Sequence, residues 1–303
     1  MSTYSIKDLE QLSGIKAHTL RVWEQRYSFI KPKRTGTNIR FYDDNDLRLV
    51  LNISLLKDSG HKISKISRMC SEEMQKEIVK LTEERLTFPE KIRSLTLAMI
   101  DCDEERIEKI MTSNIRKYGL ELTMTSLIFP FMTRLGIMWQ TGSVFSSQEH
   151  FISNLVSRKL QVAIDITRQQ AKENGKKFIL FLPEGELHEL SLLYSYYLLK
   201  VRGQRIIYLG QNTPLRDIRV IADPLEPDFI LTVFTSYPQP CQLQAHIDSL
   251  SKEFQNCTIL ITGRQVLGHD LYFPGNVKLL HDFQDLVDLC APVEILENQV
   301  MQN

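Results

Sequence analysis

The 303-residue sequence predicts a multidomain fold of α and α/β class: an N-terminal winged helix-turn-helix, a central four-helix bundle and a C-terminal doubly wound parallel sheet. Three observations carry this. Short helical patterns broken by a glycine open the chain and lead into two extended pieces. Helical periodicity without strand signal fills the middle. From residue 176 onward, strand and helix signals alternate. The boundaries fall at 1–78, 84–172 and 175–303.

In the first part, "SIKDLEQLSG" places Ile6, Leu9 and Leu12 on one face and stops at Gly14, a natural C-terminal cap. "KAHTLRVWEQRY" follows, with Leu20 and Trp23 facing inward and Thr19, Arg21 and Arg26 outward. A helix, a tight turn and a second helix with exposed basic residues form a helix-turn-helix. Two extended pieces around Thr35-Gly36-Thr37-Asn38 make a wing, and Asp43 starts the next helix. In the second part, helical patterns run over 88–100, 103–118, 120–139 and 146–170, separated by Asp101-Cys102, Gly119 and Thr141-Gly142-Ser143. Short connections favour an antiparallel bundle, with a kink at Pro130. The third part offers strands at Phe178–Leu182, Arg205–Leu209, Phe229–Phe234, Thr258–Ile261 and Val277–Leu280, with helices at 187–202, 214–223 and 240–254 between them. Such a sheet binds its ligand beyond the carboxyl ends of the strands. His188, Gly210 to Thr213, Thr235-Ser236 and Gly263-Arg264 fall on that edge.

Charge is balanced overall but not locally. Of the chain's 37 Lys/Arg and 37 Asp/Glu, residues 1–70 hold 13 and 7, leaving 24 and 30 for the rest. A basic head on an acidic body suits a polyanionic partner. No apolar run approaches the ~18 residues of a membrane span, so no membrane association is expected. The N-terminus reads as part of a folded domain rather than a leader, and the five scattered cysteines suit a reducing cytoplasm.

The segment "TLRVWEQRYSFIKPKRTGTNIRFYDDNDL" resembles the MerR family of winged helix-turn-helix regulators through Arg21, Trp23, Tyr27, Pro32, Arg34, Arg40 and Tyr42. The chemistry of these residues is consistent with that. Thr19, Arg21 and Arg26 suit base edges or phosphates of double-stranded promoter DNA, while Arg34, Arg40 and Tyr42 suit its backbone. A helix-turn-helix used only for protein contacts is the bland alternative, and Trp23 is expected in the core.

In the bundle, "WQTGSVFSSQEH" sets Trp139 nine residues ahead of Glu149-His150. Read alone, Trp139 is a buried aromatic, Glu149 closes a capping box with Ser146, and His150 has no special role. In the third part, "EGELHELS" and "RGQRIIYLGQNTP" resemble the cobalamin-binding domain shared by methionine synthases and certain regulators, a Rossmann-like sheet. Its acid-x-His-x-x-Gly pattern appears as Glu186, His188 and Ser191. A neutral imidazole suits cobalt, and a neighbouring carboxylate fixes its tautomer.

The whole chain resembles the CarH/LitR group of MerR-type, adenosylcobalamin-dependent, light-responsive repressors. That resemblance implies His188 as the lower cobalt ligand, Trp139 over the cofactor's upper face, and Glu149 and His150 against its adenosyl group. It also implies Glu186, Ser191, Thr262 and Gly263 around the cofactor and its nucleotide tail. The chain departs from the pattern at Ser191, at Thr262 where the first of two glycines is usual, and at Gln140 where some members carry a histidine. The expectation is a cytoplasmic, non-enzymatic repressor acting as a dimer or tetramer, with cobalamin binding controlling oligomerisation. The alternatives are a regulator whose sensory half answers to a protein partner, and, less favoured, a corrinoid methyltransferase or mutase subunit.

Overall fold

The computed structural model describes residues 4–27, 30–34, 38–80, 87–140 and 145–290, with the side chains of 75, 76, 78–80 and 137–140 outside that description. The chain divides into two compact units, residues 1–156 and 157–303.

The first unit opens with α1 (Ile6–Ser13), whose N-terminus carries a capping box between Ser5 and Asp8 and whose C-cap is Gly14 at φ 74°. Then come α2 (Ala17–Tyr27), the two-stranded antiparallel wing β1 (Lys33–Arg34) and β2 (Arg40–Phe41), and α3 (Asp44–Asp58). The wing tip at residues 35–37 lies outside the described residues. Asp43 caps α3 by accepting from the backbone of Asn45 and Asp46, as its position before the helix predicts. Leu9, Leu12, Leu20, Trp23, Leu47, Val50 and Leu51 close the core of this head. Two short helices, α4 (Ile63–Ile66) and α5 (Ser71–Lys80), follow.

Helix α6 (Phe88–Ile100) then buries every residue from Lys91 to Ile100. A helix covered all round needs neighbours on every side. It packs against α3 and α1 of the head, and against α7 (Glu104–Thr123) and α8 (Phe129–Gln140) of the helical part. Gly119 breaks α7 at φ 79°, where the sequence places the boundary. The kink expected at Pro130 takes the form of a π-helical turn, Met124–Ile128, just ahead of it. A proline ring blocks the preceding turn and offers no N–H, so the ladder is displaced there. The last helix of this part, α9 (Ser146–Ile166), stops four residues short of the expected end.

The second unit is a five-stranded parallel sheet of β3 (Lys177–Pro183), β4 (Arg205–Thr213), β5 (Phe229–Val233), β6 (Thr258–Thr262) and β7 (Val277–Leu279), in the order β4-β3-β5-β6-β7. Helices α10 (Leu190–Val201), α11 (Leu215–Leu225), α12 (Pro240–Glu253), α13 (Arg264–Leu267) and α14 (Phe283–Asp288) complete it. Alternate residues of β3 enter opposite cores: Ile179 and Phe181 join one, Phe178, Leu180 and Leu182 the other. Burial on both faces explains why the three inner strands β3, β5 and β6 read as continuous apolar runs. In this doubly wound order, chain direction switches between β3 and β5, and such sheets bind their ligands beyond the carboxyl ends of the strands at that point. The helix expected from 187 begins only at Leu190, which leaves His188 in the loop.

Candidate functional site

On the head, the solvent side of α2 carries His18, Arg21, Val22, Gln25 and Arg26, while Leu20 and Trp23 are buried beneath it. Trp23 is thus core, as expected. Thr19 is only partly exposed, and Tyr27 lies half-buried under the guanidinium of Arg26, 5.5 Å from its ring centroid. In the wing, Arg34 is exposed and donates to Asn38 Oδ1 at 2.7 Å. Arg40 is partly covered, its Nε 3.7 Å from Glu24 Oε2.

Tyr42 departs from its expected role as a backbone clamp. It is fully buried, it bridges to Tyr4 across the sheet edge, and its hydroxyl donates to Glu24. Burial, then this bond, push the phenol above its ordinary range. The ring therefore positions Glu24, which in turn holds Arg40. His18, Val22 and Gln25 complete the exposed face but were not singled out in the sequence; the i, i+3, i+4, i+7 spacing from His18 was the available signal.

In the helical part, Trp139 falls within α8, but its side chain and that of Gln140 lie outside the described residues. Glu149 and His150 sit in the first turn of α9. Helix α9 starts at Ser146 itself, one residue earlier than the capping box expected from Ser146 and Glu149 requires. The cap is Phe145, whose carbonyl accepts from Gln148 and Glu149 and whose N–H donates to Gln148 Oε1 at 3.1 Å. Glu149 instead accepts from the Ser153 hydroxyl one turn on. His150 is exposed, with Nε2 3.7 Å from Glu149 Oε2.

The second unit concentrates its polar chemistry at the switch point. Strand β3 ends at Pro183, and the turn closed by Glu186 N–H to Pro183 O, 2.9 Å, needs a positive φ at its third residue, met by Gly185 at 93°. This turn delivers Glu186 into the crevice with no solvent exposure. Its Oε1 accepts from the backbone of Leu187 (3.0 Å) and His188 (2.9 Å) and from His188 Nδ1 (2.7 Å). Its Oε2 accepts from the backbone N–H groups of Thr235, Ser236 and Tyr237, at 2.9, 2.7 and 3.0 Å, in the loop after β5. One carboxylate thus ties the loops of the two switch strands together. Burial pushes its pKa up, but bonds from His188, Ser236 and Tyr237 outweigh that and hold the carboxyl well below the usual range.

An ionised carboxylate only accepts, so His188 Nδ1 donates to it. In the neutral ring the lone pair is then on Nε2, at the edge away from Glu186. The side chain of His188 is half exposed. Beside it, Glu189 accepts from the Tyr208 hydroxyl (2.6 Å) and Gln211 Nε2 (2.7 Å), pinning the mouth of α10 to β4. A cavity of about 240 Å³ opens between α10, α14 and the ends of β5 and β6, walled by Ser191, Ser195, Val233, Thr262, Gly263 and Leu280 among others. It is smaller than the ~300–1,000 Å³ of a typical small-molecule pocket. The space suits one flat ring system; a macrocycle would have to lie outside it. Gly263 has φ 112°, and a Cβ there would overlap the Phe234 carbonyl. The protein's own backbone requires this glycine. Among the described residues no cluster of three His, Cys, Asp or Glu forms a metal site, and no helix is long and apolar enough to cross a membrane.

Comparison with known proteins gives family matches for the head and for the helical part. Residues 4–73 match the family described as MerR HTH family regulatory protein, and residues 91–164 match the B12 binding domain family. The chain is 25% identical over 234 residues to the HTH-type transcriptional repressor CarH of Myxococcus xanthus, covering 75% of this chain and 77% of that one. It is 23% identical over 300 residues to the repressor CarA of the same organism, covering 98% and 99%. A monomethylamine corrinoid protein of Methanosarcina barkeri superposes with a TM-score of 0.49 at 15% identity, over 63% of this chain and 92% of that one.

Proposed function

We propose, for a chain that is a MerR-type transcriptional regulator with a B12-binding domain, that it binds duplex DNA through its head and senses a corrinoid through His188. The observation that carries the reading is the imidazole at the sheet's switch point, fixed at Nδ1 by a fully buried carboxylate and half exposed. This is the arrangement that makes an imidazole a directed, neutral metal donor. A cobalt corrinoid, if bound, would supply a metal able to accept such a nitrogen and, in the adenosyl form, a light-sensitive cobalt–carbon bond.

The residues present fit the group. His188 would donate to the metal, Glu186 would hold the ring, and the adjoining cavity would receive a flat heterocycle between Ser191 and Thr262. The finer reading takes adenosylcobalamin as ligand and light as signal. It assigns Trp139, Glu149 and His150 to cofactor contact, as the resemblance implies, and Arg21, Arg26, Arg34 and Arg40 to DNA. Ligand occupancy would act on DNA affinity by changing self-association, since two linked heads bind more tightly than one.

One observation favours a second reading. Side chains at Ser191 and Thr262 both wall the cavity, where the family pattern has glycine, and this suits a sensory half that answers to a protein partner. The absorbance spectrum of the protein mixed with cobalamin in the dark separates the two. The first reading requires a bound, shifted spectrum that is lost in His188→Ala, and its light extension requires a further change under green light. Absence of any bound corrinoid favours the second.

A further inference from the structure

We infer that Val22 is a sequence-reading residue that packs against the 5-methyl group of a thymine in the major groove. The inference rests on the DNA-binding part of the proposed function. It adds a base contact that neither the charge pattern nor the basic residues supply.

Val22 is 47% exposed in the middle of α2. At 3.6 residues per turn, His18, Arg21, Val22 and Gln25 share one face, with Arg26 at its rim. All five are exposed, and Leu20 and Trp23 hold the opposite face in the core. The valine therefore lies within the outward surface, flanked by two arginines. Isolated exposed apolar residues are ordinary. This one is a β-branched residue inside a helix, where it is a weaker helix former than the alanine or lysine that would serve a solvated face. Its side chain gains nothing until a partner covers it.

A second helix of a helix-turn-helix presents such a face to the major groove. There the base edges offer hydrogen-bond donors and acceptors and a single apolar group, the thymine methyl. Arg21 and Arg26, on either side of Val22, are long enough to reach guanine edges or phosphates while the short valine meets the groove floor only where a methyl projects. The pattern expected in a bound site is thymine opposite Val22, with arginine contacts on both sides of it.

The test uses the full-length protein and duplexes selected from a random pool. Each thymine enriched in the selected site is replaced singly by deoxyuridine, which removes the methyl and keeps the base pair. At one of these positions the wild-type protein is expected to lose about fourfold in affinity, the worth of one buried methyl. Val22→Ala is expected to bind thymine and uracil duplexes alike, and Val22→Thr, which keeps one methyl, to retain part of the discrimination. Val22 is exposed and alanine favours helix, so unchanged thermal melting of both variants is expected. Indifference of the wild type to every uracil overturns the inference, as does full discrimination by Val22→Ala. Failure to retain any duplex overturns the DNA-binding reading and this inference with it.

Discussion

His188 and Glu186 stand two residues apart and do different work. The carboxylate accepts from five backbone N–H groups and an imidazole, with none of its surface exposed. Glu186→Gln turns an amide –NH₂ toward those donors, and each group left unpaired costs ~1–3 kcal/mol. A marked drop in the denaturation midpoint of the apo-protein is expected. His188→Ala removes a half-exposed ring and is expected to shift that midpoint by less than about 1 kcal/mol, while abolishing the corrinoid spectrum. Equal destabilisation by both would make the imidazole structural. His246 offers a pH signal elsewhere: it packs edge-on to Phe234 at 5.9 Å, and burial alone lowers its pKa from 6.5. The folded state then binds fewer protons than the unfolded one below that value, so stability falls as pH drops through 6.5. His246→Gln is expected to flatten that slope in melting curves taken from pH 7.5 to 5. The acid-x-His spacing made His188 legible in the sequence. The clamp of Glu186 on residues 235–237 was not, because the two loops are some fifty residues apart and meet only through sheet order. Tyr42 was misread because its polar surroundings suggest exposure, whereas its bridge to Tyr4 withdraws the ring.

Elements were legible where one period dominates. All five strands of the sheet are present; β3, β5 and β6, buried along most of their length, read as unbroken apolar runs. Ends were harder: α10 starts at Leu190 rather than 187, since the Glu186 carboxylate captures the N–H groups of Leu187 and His188 in the loop. The π-helical turn before Pro130 was legible only as a kink, because sequence marks the break in the ladder and not how it closes. Gly263 supplies a test at this scale. Its positive φ and the contact with Phe234 mean that Gly263→Ala must move the ends of β5 and β6 apart. A loss of ~1–3 kcal/mol is expected in chemical denaturation. An unchanged midpoint would show that the cavity's rim is adaptable rather than fixed.

At the scale of the whole molecule, head and helical part form one compact unit. Arg93 of α6, almost buried, pairs with Asp58 of α3, and Arg48 of α3 donates to Asp101 Oδ1 at 2.7 Å. The second pair is exposed, so Arg48→Ala is expected to cost ~0–1 kcal/mol. Arg93→Ala is expected to cost clearly more, and thermal unfolding of the head should follow that of the helices. A head that melts separately would contradict this coupling. The amino-acid sequence predicts three parts in order, whereas the structure divides into two compact units; the packing of α6 on the head depends on helices far apart in the chain and was not visible in the sequence. Under the proposed function, a corrinoid held by His188 alters DNA binding by the head. The most direct measurement is the affinity of the full-length protein for a selected duplex in the dark, with and without saturating adenosylcobalamin, in wild type and His188→Ala. Wild-type affinity is expected to change by ~5–150-fold, the usual range of coupling between sites. The variant is expected to match the unliganded wild type and to ignore the cofactor. A wild type whose affinity is the same with corrinoid demonstrably bound, or a variant that responds equally, would contradict the proposed function.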